Sequence, residues 1–210
     1  MRVDMKSTID ALHGKLNELY AVDGSWREVG EWPQDVPGSI LHAGASEAEI
    51  AQAETRFGHP FPPSYQEFLG LCSAWEHFWG DFTLVGTVPP AVESAQDEIT
   101  ENIEYQTKKL KAKFGAPVSE SAVTSWQSEE PRNLYLANHL VIATNLSGFH
   151  WVYDTRTRDA KGEMKLVYWN ISYGAQDPTF TNFQDFLSWA VSQVDFRLEH
   201  IKSKKGSTAD

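Results

Sequence analysis

The sequence holds a single cysteine, Cys72, which excludes an internal disulfide and any multi-cysteine zinc site. That thiol reads as a small buried hydrophobe. No apolar run approaches the ~18–20 residues that a membrane-spanning helix needs. The polar stretch from Met1 to Lys6 has no signal-like apolar core. The chain therefore reads as cytoplasmic, with no membrane partner. Positive charge is also scarce: 18 Lys and Arg stand against 29 Asp and Glu, a net charge of −11. Nucleic-acid binding draws most of its affinity from cations that neutralise phosphates, so no nucleic-acid partner is expected. An acidic surface instead steers a basic partner and speeds its capture.

Signatures of catalysis are missing as well. The seven histidines include no pair at the i, i+4 spacing of a helical zinc site, and no metalloprotease motif is present. There is no Gly-x-Ser-x-Gly elbow and no Gly-rich phosphate loop. Glu129 with Glu130, or Asp81 near Trp79, could in principle form a glycosidase pair beside a sugar-stacking tryptophan. Sequence distance says nothing about the spacing that such chemistry requires. The reading is a non-enzyme with no catalytic residues, no metal site and no cofactor.

What is present is helical punctuation. Ser46 followed by Glu49 forms a capping box. Ile50, Ala53 and Phe57 then recur on one helical face. Gly58 sits where a left-handed C-cap belongs, with Pro60 just beyond it. Pro62 and Pro63 preset a second helix start, after which Tyr65, Phe68, Leu69 and Cys72 repeat at helical spacing. The segment is a helix hairpin with a Pro-rich elbow.

This pattern resembles the SUKH superfamily, which includes the yeast cell-wall assembly regulators and many bacterial immunity proteins. The residues that carry the resemblance are Ser46, Ile50, Glu54, Gly58, Pro62, Tyr65, Phe68 and Leu69. Leu140 to Ala143 with Gly148 and Asp154, then Val167 to Trp169, then Phe183, Phe186 and Leu187 follow in the family's order. The resemblance covers roughly 26–200. One departure stands out: Ser73-Ala74-Trp75 occupies the place where the family usually shows Asn-Gly.

The remainder of the chain reads as follows. Ile9, Leu12, Leu16 and Leu19 share one face of a first helix over 7–20, part of an N-terminal helical extension over 1–25. Residues 24–45 are rich in Gly and Pro, with Trp26 and Trp32 as anchors on the core. A strand is expected at 82–86. A long helix over about 89–114 carries Val92, Ile99, Ile103, Leu110 and Phe114 as its apolar stripe. Its acids lie in the first half and its lysines in the last, as the helix dipole favours. It reads as an insertion. Residues 115–133 read as irregular. Three strands are expected at 138–144, 149–154 and 164–171, forming an antiparallel meander. Thr181 with Gln184 reads as the capping box of a closing helix, and 202–210 as a disordered tail. The fold class is thus α+β, a single domain over 26–201 with an antiparallel sheet packed against helices.

The resemblance implies an immunity protein that binds a cognate toxin C-terminal domain, a nuclease or deaminase, and occludes its active site. A monomer is favoured. A regulatory scaffold of the cell-wall regulator type is the alternative, with a carbohydrate-active enzyme behind it. Two surfaces are candidates for partner contact. One is an aromatic loop after the hairpin: Trp75, Glu76, His77, Trp79 and Asp81, since aromatics with a polar rim favour interfaces. The other is the acidic face of the long helix: Asp97, Glu98, Glu101 and Glu104.

Overall fold

A computed structural model describes residues 4–23, 38–79, 82–87, 93–145 and 147–206. Trp26, Trp32, Asp81, the expected helix start at Pro89 and Pro90, and the last four residues of the tail lie outside these. Asp4 caps the first helix, α1 (Met5–Val22), by accepting from Ser7 N at 3.0 Å. The expected stripe of Ile9, Leu12, Leu16 and Leu19 is buried. It packs on the last helix, α6 (Phe183–Gly206), where Arg197 pairs with Asp23 at 2.8 Å, Lys15 with Asp195, and Gln184 Nε2 with Thr8 Oγ1 at 2.9 Å. The N-terminal helix is therefore a layer of the main core and not an appendage to it.

The hairpin forms as expected. α2 (Glu47–Phe57) starts on the Ser46–Glu49 capping box and ends at Gly58, whose φ is +72°. Glu54, a family-pattern residue, holds the elbow: its Oε1 accepts from Phe61 N at 2.6 Å and Gln66 Nε2 at 2.7 Å. α3 (Pro63–Leu71) has no side-chain cap from its own Pro62. Glu163 supplies one from a distant loop, accepting from Ser64 N at 2.9 Å and Ser64 Oγ at 2.8 Å. Ser64 Oγ in turn accepts from Phe183 N at 2.9 Å, so one hydroxyl ties the starts of α3 and α6.

Among the described residues the sheet has seven strands in chain order, each antiparallel to the next. They are β1 (Ile40–Leu41), β2 (Trp75–Trp79), β3 (Phe82–Leu84), β4 (Leu140–Thr144), β5 (Phe149–Asp154), β6 (Lys165–Asn170) and β7 (Gly174–Phe180). The aromatic segment read as a loop is thus a strand. It escaped a period-2 reading because β2 bulges against β3 around His77, whose φ is +53°. Trp75 and Phe78, three apart, both turn to the core as a result. β7 escaped because it buries only Ala175 and contains Pro178.

Between β3 and β4 the chain leaves the sheet for α4 (Glu93–Phe114) and α5 (Glu120–Glu129). The second of these corrects the irregular reading of 115–133. Ser119 caps it, accepting from Ala122 N at 3.1 Å, but only Val123 and Gln127 are buried, too few to show a period. The start of α6 also differs from expectation. Asn182 Oδ1 accepts from Asp185 N at 2.9 Å, and Asp185 Oδ2 accepts from Asn182 Nδ2 at 2.8 Å, while Gln184 is engaged by α1. α6 continues to Gly206, past the expected boundary at Lys202.

The sheet is covered on both faces. Leu140, Ile142, Trp151, Tyr153 and Leu166 face α1, α3 and α6, whereas Val141, Val152, Val167 and Trp169 face Ala95, Ile99 and Ile103 of α4. Double burial explains why β4 to β6 are apolar at nearly every position. No helix among the described residues is long and apolar enough to cross a membrane.

Two glycines separate backbone strain from steric contact. Both have positive φ, but a Cβ on Gly86 would stand 1.5 Å from Ser73 O, whereas one on Gly58 would meet nothing within 4 Å. Gly58→Ala should cost about 1–2 kcal/mol, the left-handed penalty alone. Gly86→Ala should cost roughly 3 kcal/mol or more, since backbone must move. Urea unfolding of the two variants checks the difference.

Candidate functional site

The aromatic strand divides. Trp75 is fully buried, with its indole N–H donating to Ser39 Oγ at 2.5 Å and its ring against Phe78 at 5.1 Å. It is a core side chain, and its inclusion among surface candidates is corrected: the bulge turns it inward. Glu76, His77 and Trp79 are half-buried. Glu76 pairs with His42 at 2.7 Å. Burial lowers the His77 pKa, with the Glu76 carboxylate acting in the opposite sense. The His77 carbonyl accepts from Tyr20 OH at 2.9 Å. Trp79 rests on Trp189 of α6, with centroids 6.3 Å apart. Asp81 lies outside the described residues.

The acidic helix also divides. Asp97, Glu101 and Glu104 are exposed and, at i, i+4 and i+7, form one solvent-facing row along α4. Glu98 turns the other way. Its Oε1 accepts from Gly148 N at 3.1 Å, in the β4–β5 turn, and from Asn102 Nδ2 at 2.7 Å. Glu98 is therefore a strut between helix and sheet. Since Trp79 packs on α6 and the acidic row rides on α4, the sheet stands between the two surfaces that the sequence nominated.

Polar contacts anchor α4 and α5. Gln106 reads the backbone of the connection to β4, donating to Leu134 O and accepting from Leu136 N at 2.7 Å. Asp154 at the end of β5 accepts from Arg156 Nε and Nη2, both at 2.8 Å, and Arg156 Nη1 donates to Gln127 O at 2.8 Å at the end of α5. Burial alone would raise the Asp154 carboxyl, but the hydrogen bonds and charge of Arg156, with His139 nearby, hold it below the usual range. Beside it His139 accepts at Nδ1 from Thr155 N at 3.2 Å, which leaves Nε2 to donate to Gln127 Oε1 at 3.2 Å. Burial pushes that imidazole down and keeps it neutral. The His–Asp–Thr grouping thus serves α5 and the turn after β5. No group of three or more metal-ligating side chains occurs among the described residues.

Sequence reading missed a cavity of about 310 Å³ between the C-terminal half of α4, α5 and the β6–β7 turn. Tyr105, Trp126, Trp169 and Tyr173 line it, with Lys109, Lys113 and Arg132. Its only signals in the sequence were the lysine-rich end of the long helix and a tryptophan in a polar segment. His150 stacks on Trp169 behind it, with centroids 5.4 Å apart, and burial holds its pKa down at about 4.

Residues 44–189 match the family model SMI1 / KNR4 (SUKH-1). The matched span runs from just before α2 into α6 and includes α4 and α5. α1, β1 and the greater part of α6 fall outside it. No curated protein matches the chain.

The buried imidazoles give a defined acid sensitivity. His150 is neutral in the fold down to about pH 4, whereas an unfolded histidine takes up a proton near pH ~6.5. Its stability contribution is intact above that value and falls as pH drops towards 4, by roughly 3 kcal/mol in all. His139 is shifted the same way. His150→Gln should therefore flatten the loss of stability between pH 6.5 and 4 in denaturant titrations. An unchanged slope would contradict the assignment.

Proposed function

The chain belongs to the SMI1 / KNR4 family (SUKH-1), and from that premise we propose that it is an immunity protein: a non-enzymatic binder that neutralises a cognate toxin domain by covering its active site. The compartment that fits this reading is the cytoplasm. The observation that carries it is the row of Asp97, Glu101 and Glu104, exposed on a helix whose opposite side is fastened to the sheet. Carboxylates held in a fixed row can occupy positions that substrate phosphates would take in the basic cleft of a nuclease or deaminase. Rigidity lowers the ordering cost of such a contact. A stable complex of this kind buries on the order of 1,600 Å². Net charge of −11 adds long-range attraction to a basic partner and makes the association rate depend on salt.

Two outcomes are expected. The toxin-domain product of the adjacent gene, when co-expressed, should co-purify with this chain and lose its toxicity. A toxin that neither binds nor is neutralised overturns the reading; several partners, none of them toxic, would move it to a regulatory scaffold. In addition, the triple variant Asp97→Lys, Glu101→Lys and Glu104→Lys should slow association at least tenfold at low salt while its melting temperature stays near the parent's. Glu98 is excluded from that set because reversing it would loosen the β4–β5 turn. Unaltered kinetics in the triple variant would place the contact elsewhere.

A further inference from the structure

We propose that the cavity under the C-terminal half of α4 is a binding site for a small aromatic anion, a planar ring bearing a phosphate or a carboxylate. This does not rest on the toxin reading. Four observations converge on it. The first is size. About 310 Å³ lies at the small end of ligand pockets, which run from ~300 to 1,000 Å³. It fits one ring system with a charged substituent and is too small for a peptide segment.

The second observation is the walls. Trp126 and Trp169 line the cavity, and Tyr105 and Tyr173 stand at its rim with 45% and 72% of their surface exposed. Those two tyrosines belong to a short set of large apolar side chains left exposed among the described residues, and both occur at this one cavity. Aromatic faces on several sides favour a flat guest that stacks.

The third is charge. Lys109, Lys113 and Arg132 line the cavity and no carboxylate does, in a chain that carries an excess of acids. The cations are positioned yet uncommitted to strong ion pairs. Lys109 Nζ lies 4.6 Å from the Tyr105 ring centroid and Lys113 Nζ 5.0 Å from that of Phe114. Arg132 reaches Glu130 only at 3.9 Å, and that pair is open to solvent. An anion entering here would meet three positive groups, two of them held beside aromatic rings.

The fourth is an unspent donor. Trp169 is 2% exposed and its indole N–H has no acceptor. The two side-chain amides of the lining are engaged, Gln106 by Leu134 and Leu136, and Asn133 by Trp126 O at 2.7 Å. A buried N–H without a partner is costly, and the residue that carries it lines the cavity. Ring, anion and acceptor are combined in a mononucleotide or an indole-type acid.

The test titrates the full chain with AMP, UMP and indole-3-acetate. Adenosine, uridine, indole and inorganic phosphate are run beside them, with tryptophan fluorescence and the indole N–H signals in ¹H–¹⁵N spectra as readouts. At least one ring-bearing anion should shift the Trp169 indole signal and bind at least tenfold more tightly than its neutral counterpart and than phosphate alone. Lys109→Gln with Lys113→Gln should weaken that binding about tenfold with the melting temperature unchanged, and Tyr173→Ala should weaken it severalfold. Binding confined to the nucleotides, or to the carboxylate, assigns the source of the anion. The proposal is overturned if no anion binds, or if neutral rings or bare phosphate bind equally well. Lysine variants that bind like the parent would overturn it too. Because no toxin is present in the titration, its failure and that of the immunity reading are separable.

Discussion

Everything in this molecule hangs on the aromatic cluster where α3, α6 and the sheet meet. Tyr65, Phe68, Phe183 and Phe186 are fully buried, with Phe68 and Phe183 centroids 4.5 Å apart and Tyr65 5.0 Å from Phe183. Tyr153 of β5 joins at 5.6 Å from Tyr65, Phe78 of β2 at 5.3 Å from Phe186, and Trp151 at 4.8 Å from Phe186. Large rings offer great apolar area with few rotors to freeze. The Glu163–Ser64–Phe183 relay sits at the edge of this cluster and satisfies helix-start donors that would otherwise face it unpaired. Packing and polar satisfaction thus meet at one place, and the two helices cannot shift independently.

The second constraint is the doubly covered sheet. Helices on one face leave Val141, Val152, Val167 and Trp169 on the other, and α4 exists to cover them. That demand fixes which side of α4 is apolar and so which side faces solvent. The acidic row is what remains once Ala95, Ile99 and Ile103 have been turned inward. The cavity has the same origin. Side chains of α4, α5, the connection through Arg132 to Leu134 and the end of β6 line one space, and rings from three elements face each other across it. A surface helix that closes a core has created both candidate contact regions.

Features set by neighbours in the chain were legible in advance. The Ser46–Glu49 box, the left-handed Gly58, the proline start at Pro63 and the stripe of α1 each depend on residues within a turn or two, and each was read at its position. So were β4, β5 and β6, whose β-rich apolar runs are long enough to speak for themselves. Readings failed where a remote partner overrode the local pattern. Gln184 is drawn to Thr8 on α1, which leaves the α6 cap to Asn182 and Asp185. The bulge at His77 hides β2, and Pro178 with a polar face hides β7.

By itself the sequence determined the family, the helix punctuation, the acidic balance and the long helix with its sorted charges, because these follow from residue type and short spacing. Only tertiary structure decided that Trp75 is core while Trp79 is half open, and that Glu98 is a strut while Asp97, Glu101 and Glu104 are free of the sheet. It alone gathered Tyr105, Trp126, Trp169 and Tyr173 around one cavity. Burial is a property of what packs against a side chain, and here the packing partners lie tens of residues away. The chemistry of a position was written locally; its exposure, and hence its use, was not.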